Sequence, residues 1–137
     1  MKIGRIVLLG FVLTVFGIIV GNVFCGNLFS WVYQLEPTFV WRDMKDIDFM
    51  KFNAFFVLLN IILAFVYVII HKSLPGSNKF VKGICFGLMV WLIGILPGMV
   101  STNAFMVVAD GVIVYWTIFE FFNNIIKGVI ISLIYGE

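Results

Sequence analysis

Four apolar segments, Ile6–Phe24, Phe52–Ile70, Gly83–Val100 and Gly111–Tyr135, take up most of the 137 residues. Each has at least 18 residues, close to the ~20 that a helix needs to cross the hydrocarbon core of a bilayer. Runs of this length leave few options, because backbone amides in lipid must bond within their own segment. The chain therefore reads as all-α, a four-transmembrane-helix antiparallel bundle. Its helices are expected over about 4–25, 50–71, 80–100 and 110–135, within a single membrane domain spanning 1–137.

Composition agrees. Charged residues make up 12% of the chain and hydrophobic ones 63%, against the roughly 25% charged of a soluble domain. Mean hydropathy is +1.15. A formal charge of +2 without a basic stripe excludes a nucleic-acid partner. Cys25 and Cys85 fall at opposite ends of their helices, so both read as free thiols. Lys2 and Arg5 precede an apolar run longer than a signal-peptide core, so a retained first helix is expected.

Lys and Arg set the direction. Lys2, Arg5, Lys72, Lys79 and Lys82 lie on one side, Arg42, Lys45 and Lys51 on the other. The positive-inside rule puts both termini in the cytoplasm, with the protein in the cytoplasmic membrane of the cell. Leu74-Pro75-Gly76 signals a tight turn between the second and third helices. The first loop, rich in Phe, Tyr and Trp, should form an interfacial amphipathic element. Its Asp43, Asp46 and Asp48 lack the pattern of a calcium loop, and no metal site or cofactor is expected.

Two helices carry small residues on one face: Gly10, Thr14, Gly17 and Gly21 on the first, Gly83, Gly87, Gly94 and Gly98 on the third. Such faces let backbones approach closely in lipid. Arg5, Gly10, Gly17 and Gly21 recur as Lys82, Gly87, Gly94 and Gly98 at an offset of 77, a regularity that glycine-rich helices also produce by chance. Pro97 should bend the third helix by freeing the carbonyl of Ile93.

The other two helices carry polar stripes. Asn53, Asn60, Tyr67 and His71 mark the second; Thr117, Glu120, Asn123, Asn124 and Lys127 mark the fourth. If Gly111 lies near the outer surface, nine residues of helix put Glu120 about 14 Å deep, near the midplane. Asn60 reaches the same level, with Thr14 and Trp91 nearby. Below them Asn124, Tyr67, Lys127 and His71 should lead toward the cytoplasm. There Lys127 would snorkel inward and His71 would sit near the phosphates. Asp110 should start the fourth helix as its cap, or else mark a kink within a longer one.

The stretch Lys72–Tyr135, with KSLPG, KGICFGLMVWLIGILPG and IIKGVIISLIY, resembles small four-helix membrane proteins of bacteria and archaea. The resemblance implies the architecture and brings no catalytic residue.

Two functions fit these residues. One is handling of a small solute, ion or lipid through a protonatable midplane site made by Glu120, Asn60, Asn124, Lys127 and Tyr67. The other is a non-catalytic interaction protein packing through its glycine faces onto a second copy or another membrane partner, with the bilayer as its surroundings. An intramembrane enzyme fits less well. Asp110 is about 15 Å from Glu120 along the axis, too far to pair with it, and a lone His71 cannot hold a metal or haem.

Overall fold

Each apolar segment becomes a helix in the computed structural model of the chain, which describes residues 3–135. Helix α1 runs Ile3–Gly21 and continues as a π-helical stretch, Asn22–Leu28. Helix α2 covers Phe49–Ile70. The third crossing joins α3 (Lys79–Val90), a π-helical stretch (Trp91–Ile95) and α4 (Leu96–Phe105). Helix α5 is Asp110–Tyr135. No strand occurs among the described residues. The four continuous runs have 26, 22, 27 and 26 residues and mean hydropathies of 2.6, 2.5, 2.1 and 1.5. All four are long and apolar enough to cross a bilayer, so the fold is an all-α four-helix membrane bundle.

Local signals explain the boundaries. Asp48 accepts a hydrogen bond from the Lys51 amide at 3.0 Å and starts α2. Asn78 does the same for the Val81 amide at 2.9 Å and starts α3, the usual work of a short polar side chain at a helix start. Gly76 in the turn between them has φ +121°, a conformation that only glycine adopts freely. A real break at Met106–Ala109 separates α4 from α5, because Met106 is extended. Asp110 is the first residue of α5 and not its cap.

Pro97 acts one turn earlier than expected. It cannot donate to the Ile93 carbonyl, and the helix widens over Trp91–Ile95, where the Leu96 amide reaches back to the Trp91 carbonyl. A wide turn absorbs the missing donor without stopping the helix. The third crossing consequently runs to Phe105, five residues past the expected end at Val100.

Large apolar side chains point outward all round the bundle, among them Phe11, Val15, Phe55, Leu59, Ile93, Ile118, Phe122 and Leu133. In water so much exposed apolar surface would drive association; in hydrocarbon it is neutral. That is why apolar residues encircle these helices instead of forming one stripe.

Helix α1 packs chiefly on α2, and α3 chiefly on α5. The buried apolar core lies at one end of the bundle. It combines Ile6, Leu9 and Leu13 of α1, Ala64, Tyr67 and Val68 of α2, Leu74, Phe86 of α3, and Ile131 and Tyr135 of α5. At the opposite end only Val32, Val112 and Ile113 are buried hydrophobics among the described residues. The bundle is tight at the end where α1 starts and α5 finishes and splayed where the first loop lies.

That loop forms three short 3-10 turns, Ser30–Gln34, Thr38–Val40 and Met44–Asp46, folded over the start of α5. The Trp116 indole donates to the Tyr33 hydroxyl at 2.9 Å, and the Trp41 indole to the Tyr33 carbonyl at 3.0 Å. Trp31, Phe39 and Met44 stay exposed, which gives the loop its apolar outer side. Asp43 and Asp48 cap local turns through the Lys45 and Lys51 amides.

Candidate functional site

Glu120 lies on the α5 stripe that continues through Asn124 and Lys127 to Ile131, and it is half-buried. Its Oε2 accepts from Asn123 Nδ2 at 3.0 Å and from Asn124 Nδ2 at 2.9 Å. Asn124 also donates to the Glu120 carbonyl at 2.8 Å. Both partners sit three and four residues on, the spacing that places helix side chains side by side. Asn123 and Asn124 are buried, so the carboxylate is held from the protein side by amides of its own helix.

Asn60 reaches the same depth but belongs to another network. It donates to Thr14 Oγ1 at 3.1 Å and to the Phe56 carbonyl at 3.0 Å, while Thr14 donates to the Gly10 carbonyl at 2.8 Å. The Trp91 indole donates to the Thr117 carbonyl at 2.9 Å. The expected midplane layer thus divides by helix pair: Asn60 with Thr14 between α1 and α2, Trp91 with Thr117 between the third crossing and α5, and Glu120 with its two asparagines on α5.

Lys127 departs from expectation. Its side chain does not snorkel inward. The ammonium is buried 5.0 Å from the centre of the Phe56 ring and beside Gly17, where a Cβ would lie 3.8 Å from Nζ. Helical side chains lean toward their helix N-terminus, so Lys127 reaches back toward the loop end and the level of Glu120. The face of Phe56 compensates part of the lost hydration of the cation.

Tyr67 and His71 lie in the packed end and do not extend the polar path from Glu120. Tyr67 donates to Ser132 Oγ at 2.9 Å, and Ser132 donates to the Lys79 carbonyl. The His71 ring, expected near the phosphates, is buried with Nδ1 2.7 Å from the Val68 carbonyl and the Tyr135 ring at 5.4 Å. Leu74, in the turn that follows, is buried in the apolar core of the same end.

The glycines also divide. A Cβ on Gly83 or Gly87 would strike the α5 backbone at Val129 or Ile125, and one on Gly10 would strike Ile61. Gly17 meets the Phe56 ring. Gly21, Gly94 and Gly98 have nothing within 4 Å, so they pack against no described helix of this chain. Periodicity puts them on one face but cannot tell how long a partner stays alongside. Gly128, which belongs to neither glycine-lined face, is the counterpart of Gly83 and Gly87; its place right after Lys127 on the buried stripe is the only signal of it in the sequence. Cys25 and Cys85 are free thiols at opposite ends of the bundle.

Two clefts flank the loop half of α1. One, of about 390 Å³, lies toward α2 and is lined by Gly17, Gly21, Asn22, Asn53, Phe52 and Phe56 among others. Gly17 and Phe56 are the same residues that shield Lys127. The other, of about 530 Å³, lies toward α5 and includes Asn123 in its wall. No protein-family model, curated protein or solved structure matches the chain.

Proposed function

We propose that the protein is a multi-pass protein of the cytoplasmic membrane, with both termini in the cytoplasm, that handles a small solute, ion or lipid through the site around Glu120 and Lys127. The observation that carries this reading is the direction of Lys127. A lysine this far along α5 could reach the near interface, yet its ammonium turns into the bundle against Phe56 and Gly17, two residues that line a cleft and stand between it and Lys127. Holding a cation there is costly, and ionisable groups kept inside a membrane bundle characteristically mark a binding site or pathway. Glu120, fixed by Asn123 and Asn124, supplies the protonatable partner. The splayed loop half gives a solute its way in, while the core around Tyr67 and Phe86 closes the other end. Tyr67 serves that closure, and Asn60 ties α1 to α2 beside the site.

The test is native mass spectrometry of the chain extracted in mild detergent. The wild type should retain a small ligand that Glu120→Gln and Lys127→Met both lose. Retention by both variants, or its absence from the wild type, would remove the proposal.

A second reading rests on Gly94 and Gly98, which face open space on the third crossing. A bare small-residue surface in lipid suits a neighbouring helix. Under this reading the same spectra show more than one subunit, and Gly94→Leu with Gly98→Leu reduces them to one.

A further inference from the structure

Helices α1 and α2 separate between Gly10 and Gly21, and one aromatic ring bridges the opening. A Cβ on Gly10 would meet the Ile61 backbone. On Gly17 the first atoms met are those of the Phe56 ring, at 2.8 and 2.9 Å, and then Lys127 Nζ at 3.8 Å. On Gly21 nothing lies within 4 Å. The α2 backbone has already receded at the level of Gly17, so the ring alone spans the gap.

The cleft of about 390 Å³ occupies this opening, a volume within the usual range of small-molecule sites. Gly26 and Phe49 border its loop end, Gly17 and Phe56 its deep end, with Asn22 and Asn53 between them. The Phe56 ring stacks on Phe52 at 5.8 Å and also covers Lys127 Nζ, 5.0 Å from its centre. A phenyl ring can turn about its own side-chain bonds without moving the helix that carries it.

Lys127 is only 6% exposed, and its Nζ donates to no acceptor among the described residues. The one sealed side-chain polar atom without a partner there is Asn123 Oδ1, so Nζ, which also lacks one, keeps some open surface. Glu120 does not occupy the ammonium, because its Oε2 is held by Asn123 and Asn124. The contact with an aromatic face is a weaker answer to a buried cation than a charged acceptor would be.

We propose that the Phe56 ring is a gate, and that behind it Lys127 binds an organic carboxylate with a short apolar tail. The ring swings off the ammonium and the carboxylate takes its place, accepting from Nζ. The tail lies in the cleft along Ile18, Phe49 and Phe52. Those walls offer nothing to a bare inorganic anion, which is why the ligand is an organic one. This rests on the reading of Lys127 as a solute site and names the class of solute.

The full chain in lipid nanodiscs is dialysed against radiolabelled octanoate or uncharged 1-octanol, and saturable binding is counted. The wild type should hold octanoate, displaceably, and octanol at least tenfold more weakly. Lys127→Met should weaken octanoate about ten- to hundredfold, the worth of a hydrogen bond to a charged group. The gate is tested with Lys127→Cys in a background of Cys25→Ser and Cys85→Ser, labelled by a small sulfonate-bearing thiosulfonate. Adding Phe56→Leu should speed that labelling at least tenfold. Unchanged labelling overturns the gate, and octanoate held equally by wild type and Lys127→Met overturns the carboxylate site. If the wild type retains a ligand that Glu120→Gln and Lys127→Met both lose, yet shows no preference for octanoate over octanol, the solute site stands and the carboxylate assignment fails.

Discussion

Asn60 and Asn124 both donate to the carbonyl one turn back, at Phe56 and Glu120, and differ in what else they reach. Asn60 crosses to Thr14 and so couples two helices. Interhelical hydrogen bonds of this kind average about 0.6 kcal/mol in bilayers and reach about 1.7. A double-mutant cycle with Asn60→Leu and Thr14→Val should return a coupling energy in that range when unfolding is followed in mixed micelles. Tyr33 offers a second test outside the membrane spans. Burial, the largest effect, pushes its hydroxyl up to about 12, against an opposing contribution from the Trp116 hydrogen bond. A raised folded-state value means stability intact below about pH 10 and falling as pH rises from there through about 12. Thermal midpoints measured across that window should fall more steeply in wild type than in Tyr33→Phe. The pairing of Glu120 with Asn124 is legible from spacing, since a helix fixes who stands four residues away. The direction of Lys127 is not, because depth is counted at its backbone while its side chain leans back along the helix.

At the scale of helices, the close contacts are set where backbone meets backbone. Gly87 faces Ile125 and Gly10 faces Ile61, so in each pair the glycine-bearing crossing packs on the crossing that follows it. This extends the recurrence at an offset of 77 from sequence into packing for Gly10 and Gly87, but Gly17 and Gly94 do not share it. A methyl added at Gly83 or Gly87 must push α5 away, because backbone atoms cannot swing aside. Gly87→Ala should cost about 1–3 kcal/mol and lower the thermal midpoint by several degrees. Gly94→Ala and Gly98→Ala should leave a single chain's midpoint unchanged. Equal losses at Gly87 and Gly94 would contradict the packing described. Helix number and approximate bounds could be read from hydropathy, whereas the π-helical stretch before Pro97 could not. How a helix accommodates a missing donor depends on its neighbours, here Trp91 bonded across to Thr117.

For the molecule as a whole, the two ends differ: a filled core around Phe86 and Tyr67, and a splayed end where α1 stands between two clefts. Its orientation is open to a direct test in a background with Cys25→Ser and Cys85→Ser. Ser77 lies in the lysine-rich turn and Thr38 in the first loop, both accessible from solvent. In intact cells a membrane-impermeant maleimide should label Thr38→Cys and leave Ser77→Cys unlabelled until the cells are opened. The reverse pattern would invert the topology.

Hydrophobic length, lysine placement and the turn at Gly76 are properties of short stretches of chain. They obey rules that act within one segment, and for that reason the number of crossings and the general architecture followed from the residues alone. Which polar groups meet is settled between segments, by how far each helix pair stays in contact before the bundle opens. Asn60 joined Thr14 and not Glu120, Lys127 turned beneath Phe56, and Asn123 was left with a buried carbonyl that meets no donor. No periodicity encodes those outcomes, because each depends on the distance between two surfaces that only packing sets.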